Sequence, residues 1–328
     1  MKYIKKTLLL LFITFIFFSS KAQLKYIDYH TVISKAENHI LEKKYKEAFQ
    51  LYDSVFKIYP KRFSKDLYNA SICAARSNQS DNAAEYLMEL SNYGYSPLII
   101  NKITFKSKNS TVKWRAFKRG YKKNLKKKFK ERNQNNDYLF FEELFRRDQF
   151  FRMKKGSYSV YGDTINLIDS INMSELKQYI LLNGYPTDKV LMPDFGSNSR
   201  LYIIVRHAYQ NKDYTLSEML FDEVKKGNLH PYIFAELEDK KYSSQKIGDK
   251  YCVLTYFKIE GKIIERKLNS DKIKDYNVNR ASIGLESLEI YKKKQFYKFK
   301  IKMPFLFEKY EGLIQLSGIK LEDFNKFN

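Results

Sequence analysis

The chain has little of the chemistry that marks most enzymes. It carries two cysteines, Cys73 and Cys252, and four histidines, His30, His39, His207 and His230. Two cysteines in different expected units are too few for a disulfide framework; export would permit one disulfide between them, and two small buried thiols are the preferred reading. Neither they nor the histidines show metal-ligand spacing. His39 sits on an expected core face, and His230 precedes Pro231 in an expected turn. No metal and no cofactor is therefore expected. The sequence contains no GxSxG, HExxH, P-loop, CxxC or dinucleotide fingerprint, which lowers the weight of catalysis without removing it. Beyond the amino terminus, no stretch stays apolar for the roughly 20 residues a helical membrane span requires. Acidic charge is scarce too: 60 Lys and Arg face 37 Asp and Glu, for a net charge of +23.

The chain opens with a leader. Lys2, Lys5 and Lys6 precede an apolar run from Leu8 to Phe18, and Ser20 and Ala22 come next at small-residue positions. A basic start, a short apolar middle and a small-x-small end form a secretory signal peptide, residues 1–22, cleaved after Ala22. The alternative is an uncleaved anchor. Export to the periplasm or beyond is the expectation, and an exported chain seldom meets nucleic acid. Without the leader the charge is still strongly positive. A basic surface suits lipid headgroups or an acidic polymer. Lys, Asn, Ile, Tyr and Phe are abundant together, however, as AT-rich coding DNA would produce.

The body of the chain reads as mainly α, with helical hairpins preceding a mostly helical domain that carries one β-hairpin. Residues 27–97 form the first unit. A helix is expected over Tyr29–Lys43, with Val32, Ala36, His39 and Ile40 inward. A second is expected over Tyr45–Ile58, with Ala48, Tyr52, Val55 and Phe56 inward and Pro60 as its stop. A second pair comes about 35 residues later, through Leu67, Ala70, Ala74 and Ala75, then Ala83, Ala84, Leu87 and Leu90, with Asp81 as a cap. Two units are fewer than such repeats need to stand alone, so they should dock on the carboxy-terminal part of the chain. Residues 98–137 form a connector with a basic helix in which Trp114, Phe117, Tyr121, Leu125 and Phe129 make one apolar stripe. Its lysines, Lys122, Lys126 and Lys127 among them, are candidates for an anionic contact, or else a solvated face.

Residues 138–300 form the second unit. Helices are expected over Tyr138–Met153, Thr164–Asn183 (with Asp163 as a cap), Asn198–Gln210, Tyr214–Lys226, Pro231–Lys241 and Asn279–Lys293. Loops are expected at Gly156–Gly162 and Gly184–Gly196. The hairpin is Tyr251–Ile259 and Lys262–Leu268, turning at Glu260-Gly261. A basic tail, 301–328, ends the chain, and its Phe305, Leu306 and Phe307 should pack back.

These residues carry two resemblances. Tyr45–Pro60 resembles the second helix of a tetratricopeptide repeat. The order of elements behind it resembles a family of exported bacterial proteins that end in an uncharacterised domain. Asp148, Gln149 and Arg152 match its DQxxR element, Gly184 and Pro186 its G-aromatic-P turn, His207 and Ala208 its QHAD element, and Leu237 and Asp239 an LTDR-like element. Arg280, Gly284 and Leu285 match RxxxGL. Arg206, Tyr209 and Lys240 depart from the pattern, as do Tyr251–Leu254 where the family has YGTQ. The resemblance covers about half the chain and implies no known reaction.

Two functions are open. The first is a non-enzymatic envelope scaffold whose repeats contact another envelope protein or a peptide, with an anionic polymer or lipid surface as the other partner. Arg206 and Gln149 join the three lysines as binding candidates. The second is a hydrolase-like rear domain in which His207 works with Asp148 and Arg152, these two at i, i+4 on one helix face. The plain alternative is a buried histidine satisfied by a structural Asp–Arg pair.

Overall fold

The computed structural model describes residues 25–94, 112–191, 200–259, 262–300, 305–307 and 314–315. The expected leader, the 98–111 connector, the Glu260-Gly261 turn and most of the tail lie outside the described residues. The fold is mainly α. Its helices are α1 (Tyr26–Leu41), α2 (Tyr45–Ile58), α3 (Ser64–Arg76), α4 (Ser80–Ser91), α5 (Val112–Arg132), α6 (Asn136–Arg152), α7 (Ser157–Asn183), α8 (Asp188–Leu191), α9 (Arg200–Gln210), α10 (Ser217–Lys225), α11 (Pro231–Ser244), α12 (Ser270–Ser282) and α13 (Leu288–Lys300). Strands β1 (Tyr256–Ile259) and β2 (Lys262–Glu265) form the hairpin, and β3 (Ile314–Gln315) pairs parallel with the far side of β1. Among the described residues, no helix is long and apolar enough to cross a membrane.

Helices α1–α4 pack as two successive hairpins, each helix against the next, and α5 lies on α4. Small residues set the spacing: Ala36, Ala48, Ala70, Ala74 and Ala83 are fully buried, letting backbones approach while Tyr29, Tyr52 and Leu87 fill the gaps between. The inward stripe of α1 runs through Tyr26, Tyr29, Ile33, Ala36 and Ile40. His39 lies outside it, about one-third exposed beside Glu42. Asp81 does not cap α4; Gln79 stands at that position and makes no side-chain bond. In α5, Tyr121 is buried and Leu125 half-buried against this front core, while Phe129 is 39% exposed, so the stripe narrows toward the end of the helix.

A second core gathers residues from α6, α7 and α9–α13. Two expected boundaries differ here. The 157–162 stretch is helical, because α7 begins at Ser157 and passes through a kink at Tyr161, whose ring packs on Phe151. Tertiary contact overrides the weak local propensity, and Asp163 lies inside the helix as an exposed residue rather than a cap. The expected helix over Asn279–Lys293 is two helices. Gly284, at φ +81°, breaks them apart, and a Cβ there would lie 2.7 Å from the Ile27 carbonyl oxygen. Only glycine meets both the left-handed backbone and the close approach of α1. Gly227 (φ +72°) closes α10 and lies under the Tyr26 ring.

The two cores meet along a seam of buried charge. Lys65 contacts Asp66 at 3.0 Å and pairs closely with Glu37; Lys294 reaches Glu37 at 2.6 Å and Glu286 at 3.2 Å; Arg280 lies 3.6 Å from Glu286. Signs alternate along the row, so each buried charge has an opposite neighbour and none is left uncompensated. Beside it the His30 and His230 rings meet edge to face at 5.2 Å. Burial, reinforced by the Lys65 charge, holds the His30 imidazole down to about 3. Thus the front hairpins pack against the rear unit.

Candidate functional site

Helix α6 presents Asp148 and Arg152 one turn apart, and α9 packs against it and carries His207 near its carboxyl end. His207 Nδ1 lies 3.0 Å from each Asp148 carboxylate oxygen. Two acceptors facing one ring nitrogen place the proton on Nδ1 and leave Nε2 as the acceptor. Nε2 has no hydrogen-bond partner among the described residues, and the His207 side chain keeps 11% exposure.

Behind the dyad the polar groups close on themselves. Arg152 donates to the Asp148 backbone carbonyl at 2.6 Å and its carboxylate at 3.1 Å, and forks onto Asp169 at 2.6 and 2.8 Å. Gln149 donates to Asp148, and Asn211 donates to Asp169, each at 2.6 Å. Burial raises the Asp169 carboxyl above its ordinary range against the opposing pull of Arg152. Burial is the largest single influence on Arg152 and lowers it, but the hydrogen bonds to Asp169 and the charges of Asp148 and Asp169 together hold it above its ordinary value. Two carboxylates, one guanidinium and two amides thus bond to one another around a single imidazole, with the buried Arg152 Nε left without a hydrogen-bond partner.

Of the sequence candidates, the structure brings together His207, Asp148, Arg152 and Gln149. It does not bring in Arg206, which lies toward Lys240; burial chiefly, helped by the Arg206 charge, lowers that ammonium. Lys122, Lys126 and Lys127 stand exposed on α5. Asp169 and Asn211 escaped sequence reasoning, because their partners lie 17 and 42 residues away along the chain. Asp239 and Arg280 are structural clasps. Asp239 accepts from the N–H groups of Lys250, Tyr251 and Val253 at 2.6–2.8 Å, and Arg280 donates to the carbonyls of Tyr251 and Glu286. Among the described residues, no cluster of three or more His, Cys, Asp or Glu could hold a metal ion.

A second arrangement lies on the front hairpins. Asn69, fully buried on α3, donates its amide to the Leu306 carbonyl at 2.7 Å and accepts the Leu306 N–H at 2.8 Å. Phe305 stacks on Tyr45 with ring centroids 5.7 Å apart, and the Arg76 guanidinium covers both rings, 4.5 Å from the Tyr45 centroid and 5.1 Å from that of Phe305. Phe307 meets Tyr297 edge-on at 5.9 Å. The expected return of Phe305 and Phe307 to a core thus happens, and the core is that of the front helices. The aromatic repeats of the tail signalled burial; nothing local signalled Asn69 as their acceptor and donor. A separate cavity of about 230 Å³ is bounded by Lys61, Tyr93, Thr187, Lys189 and Asn228; it does not touch His207. Comparison with family models, with curated proteins and with solved structures gives no match.

Proposed function

We propose that this protein is an exported, non-enzymatic scaffold whose front helical hairpins, of tetratricopeptide-like kind, hold a polypeptide segment of an envelope partner. The observation that carries this reading is the grip of Asn69 on both backbone groups of Leu306. A side chain that satisfies a main-chain donor and acceptor together recognises extended backbone whatever its side chains are, as a sheet edge does. The same helices stack an aromatic ring under a guanidinium beside that grip. Lysine-reactive cross-linking of the mature chain in envelope extract, read by mass spectrometry, tests it. A partner cross-linked reproducibly to residues 26–91 is expected. Links confined to the exposed lysines of α5 would move the reading to an anionic surface, and no link at all would sink it.

A second reading has one specific observation in its favour. The Asp148–His207 pair is oriented as a general base would be, with Nε2 unengaged among the described residues. In that reading the rear domain is hydrolase-like, and Arg152 positions Asp148. Loss of a hydrolytic activity in His207→Gln, with folding intact, would establish it. The closed network around Arg152 supports a structural role instead, because every charged group there already has its partner.

A further inference from the structure

We propose that the groove between α2, α3 and α13 is a recognition site for an extended aromatic–any–aromatic segment, and that residues 305–307 occupy it in cis until a partner segment of that chemistry displaces them. This rests on the scaffold reading and names its ligand and its control.

Three features set the ligand class. The pair of bonds from Asn69 to Leu306 demands an extended residue with a free N–H, so proline is excluded at the middle position. The first position stacks on the Tyr45 ring with the Arg76 guanidinium over both rings, a pairing that favours a π face over an aliphatic side chain. The third position meets the edge of Tyr297 and is 5% exposed as Phe307, so it takes a large flat side chain. The middle side chain is only half-buried and is left unspecified.

Control comes from connectivity. The segment lies a few residues past α13, whose Lys294 is anchored in the seam by Glu37 and Glu286. A tether that short presents the segment at an effective concentration in the millimolar range. A partner segment in trans must compete with it, so the site is closed to weak ligands and open to a partner that adds contacts elsewhere. Farther along, β3 adds to β1 of the rear sheet, so residues 305–307 and 314–315 together contact both halves of the molecule.

The test uses the full mature chain and a fluorescein-labelled peptide of residues 303–309, tracked by anisotropy. The doubly substituted chain, Phe305→Ala with Phe307→Ala, empties the groove. It should bind the peptide at least about tenfold more tightly than the wild-type chain. Adding Asn69→Ala should weaken that binding roughly tenfold or more, the loss of two backbone bonds. A peptide with Leu at both aromatic positions should bind more weakly than the aromatic one. Equal binding to wild-type and substituted chains, or no binding to a substituted chain whose circular dichroism is native, overturns the proposal. If the double substitution unfolds the protein, Leu306→Pro, which removes the N–H donated to Asn69 and the leucine side chain and restricts the backbone there, weakens the cis segment and gives the same comparison. Should the peptide fail while the extract still cross-links to residues 26–91, this inference alone falls; if both fail, the scaffold reading falls with it.

Discussion

The front and rear halves of this protein solve the same packing problem with different materials. The front core is mainly apolar away from the seam and Asn69, with small residues setting helix separation and tyrosines filling the space between. The rear core is threaded by polar clasps: Asp239 under three N–H groups, Arg280 across two carbonyls, and Arg152 between two carboxylates. Nonpolar packing tolerates substitution of like volume, whereas a buried polar network fails when one member is removed. The difference teaches where each half is fragile.

The largest effect should separate the halves directly. Arg152→Met leaves Asp148 and Asp169 as neighbouring buried carboxylates without their cation, a loss of about 3–5 kcal/mol. Leu67→Met, at an equally buried front position, should cost under about 1.5 kcal/mol. Urea unfolding of both variants measures this, and equal losses would erase the contrast.

The seam comes next. Gly284→Ala places a methyl against the Ile27 carbonyl at a left-handed backbone position, so a loss of about 2–3 kcal/mol is expected. Limited proteolysis should then release the front hairpins earlier than in the wild type. A silent Gly284→Ala would mean that the halves do not meet as described.

The seam should also be acid-labile. An unfolded histidine takes its proton near 6.5, whereas folded His30 resists protonation down to about 3, and burial beside Lys65, His30 and Lys294 lowers His230 as well. The unfolded state therefore binds these protons first. Stability contributed by the neutral pair is complete above about pH 6.5 and falls as the pH drops toward about 3. The thermal midpoint measured across that range should decline, and His30→Gln should flatten the decline. A wild-type midpoint independent of pH would contradict the burial of the pair.

Smaller effects sharpen the rear network. His207→Phe removes one hydrogen-bonding partner from Asp148 while Arg152 and Gln149 remain, so about 1–2 kcal/mol is expected. Joint replacement of Lys122, Lys126 and Lys127 by alanine should change stability by no more than about 0.5 kcal/mol, since all three are exposed. Sedimentation with anionic vesicles would show whether that face does anything else.

Legibility divides along similar lines. The helix at Tyr45–Ile58 is readable to the residue, because a small, aromatic and β-branched stripe ends at Pro60. The hairpin is readable from its β-branched run around Glu-Gly, though its strands are shorter than that run. The pairing of His207 with Asp148 is readable as a candidate because both lie on helices with periodic faces. The Tyr161 kink and the split at Gly284 are hidden, since each depends on an element distant in sequence. The same holds for Asp169, Asn211 and Asn69.

By itself, the sequence determined the helical class, the succession of the front helices and the β-hairpin around Glu260-Gly261, because those arise from spacing between near neighbours along the chain. The tertiary structure alone decided which charges neutralise one another in the seam, and that Asn69 holds a segment 237 residues away. Those choices depend on three-dimensional proximity, for which local spacing carries no signal.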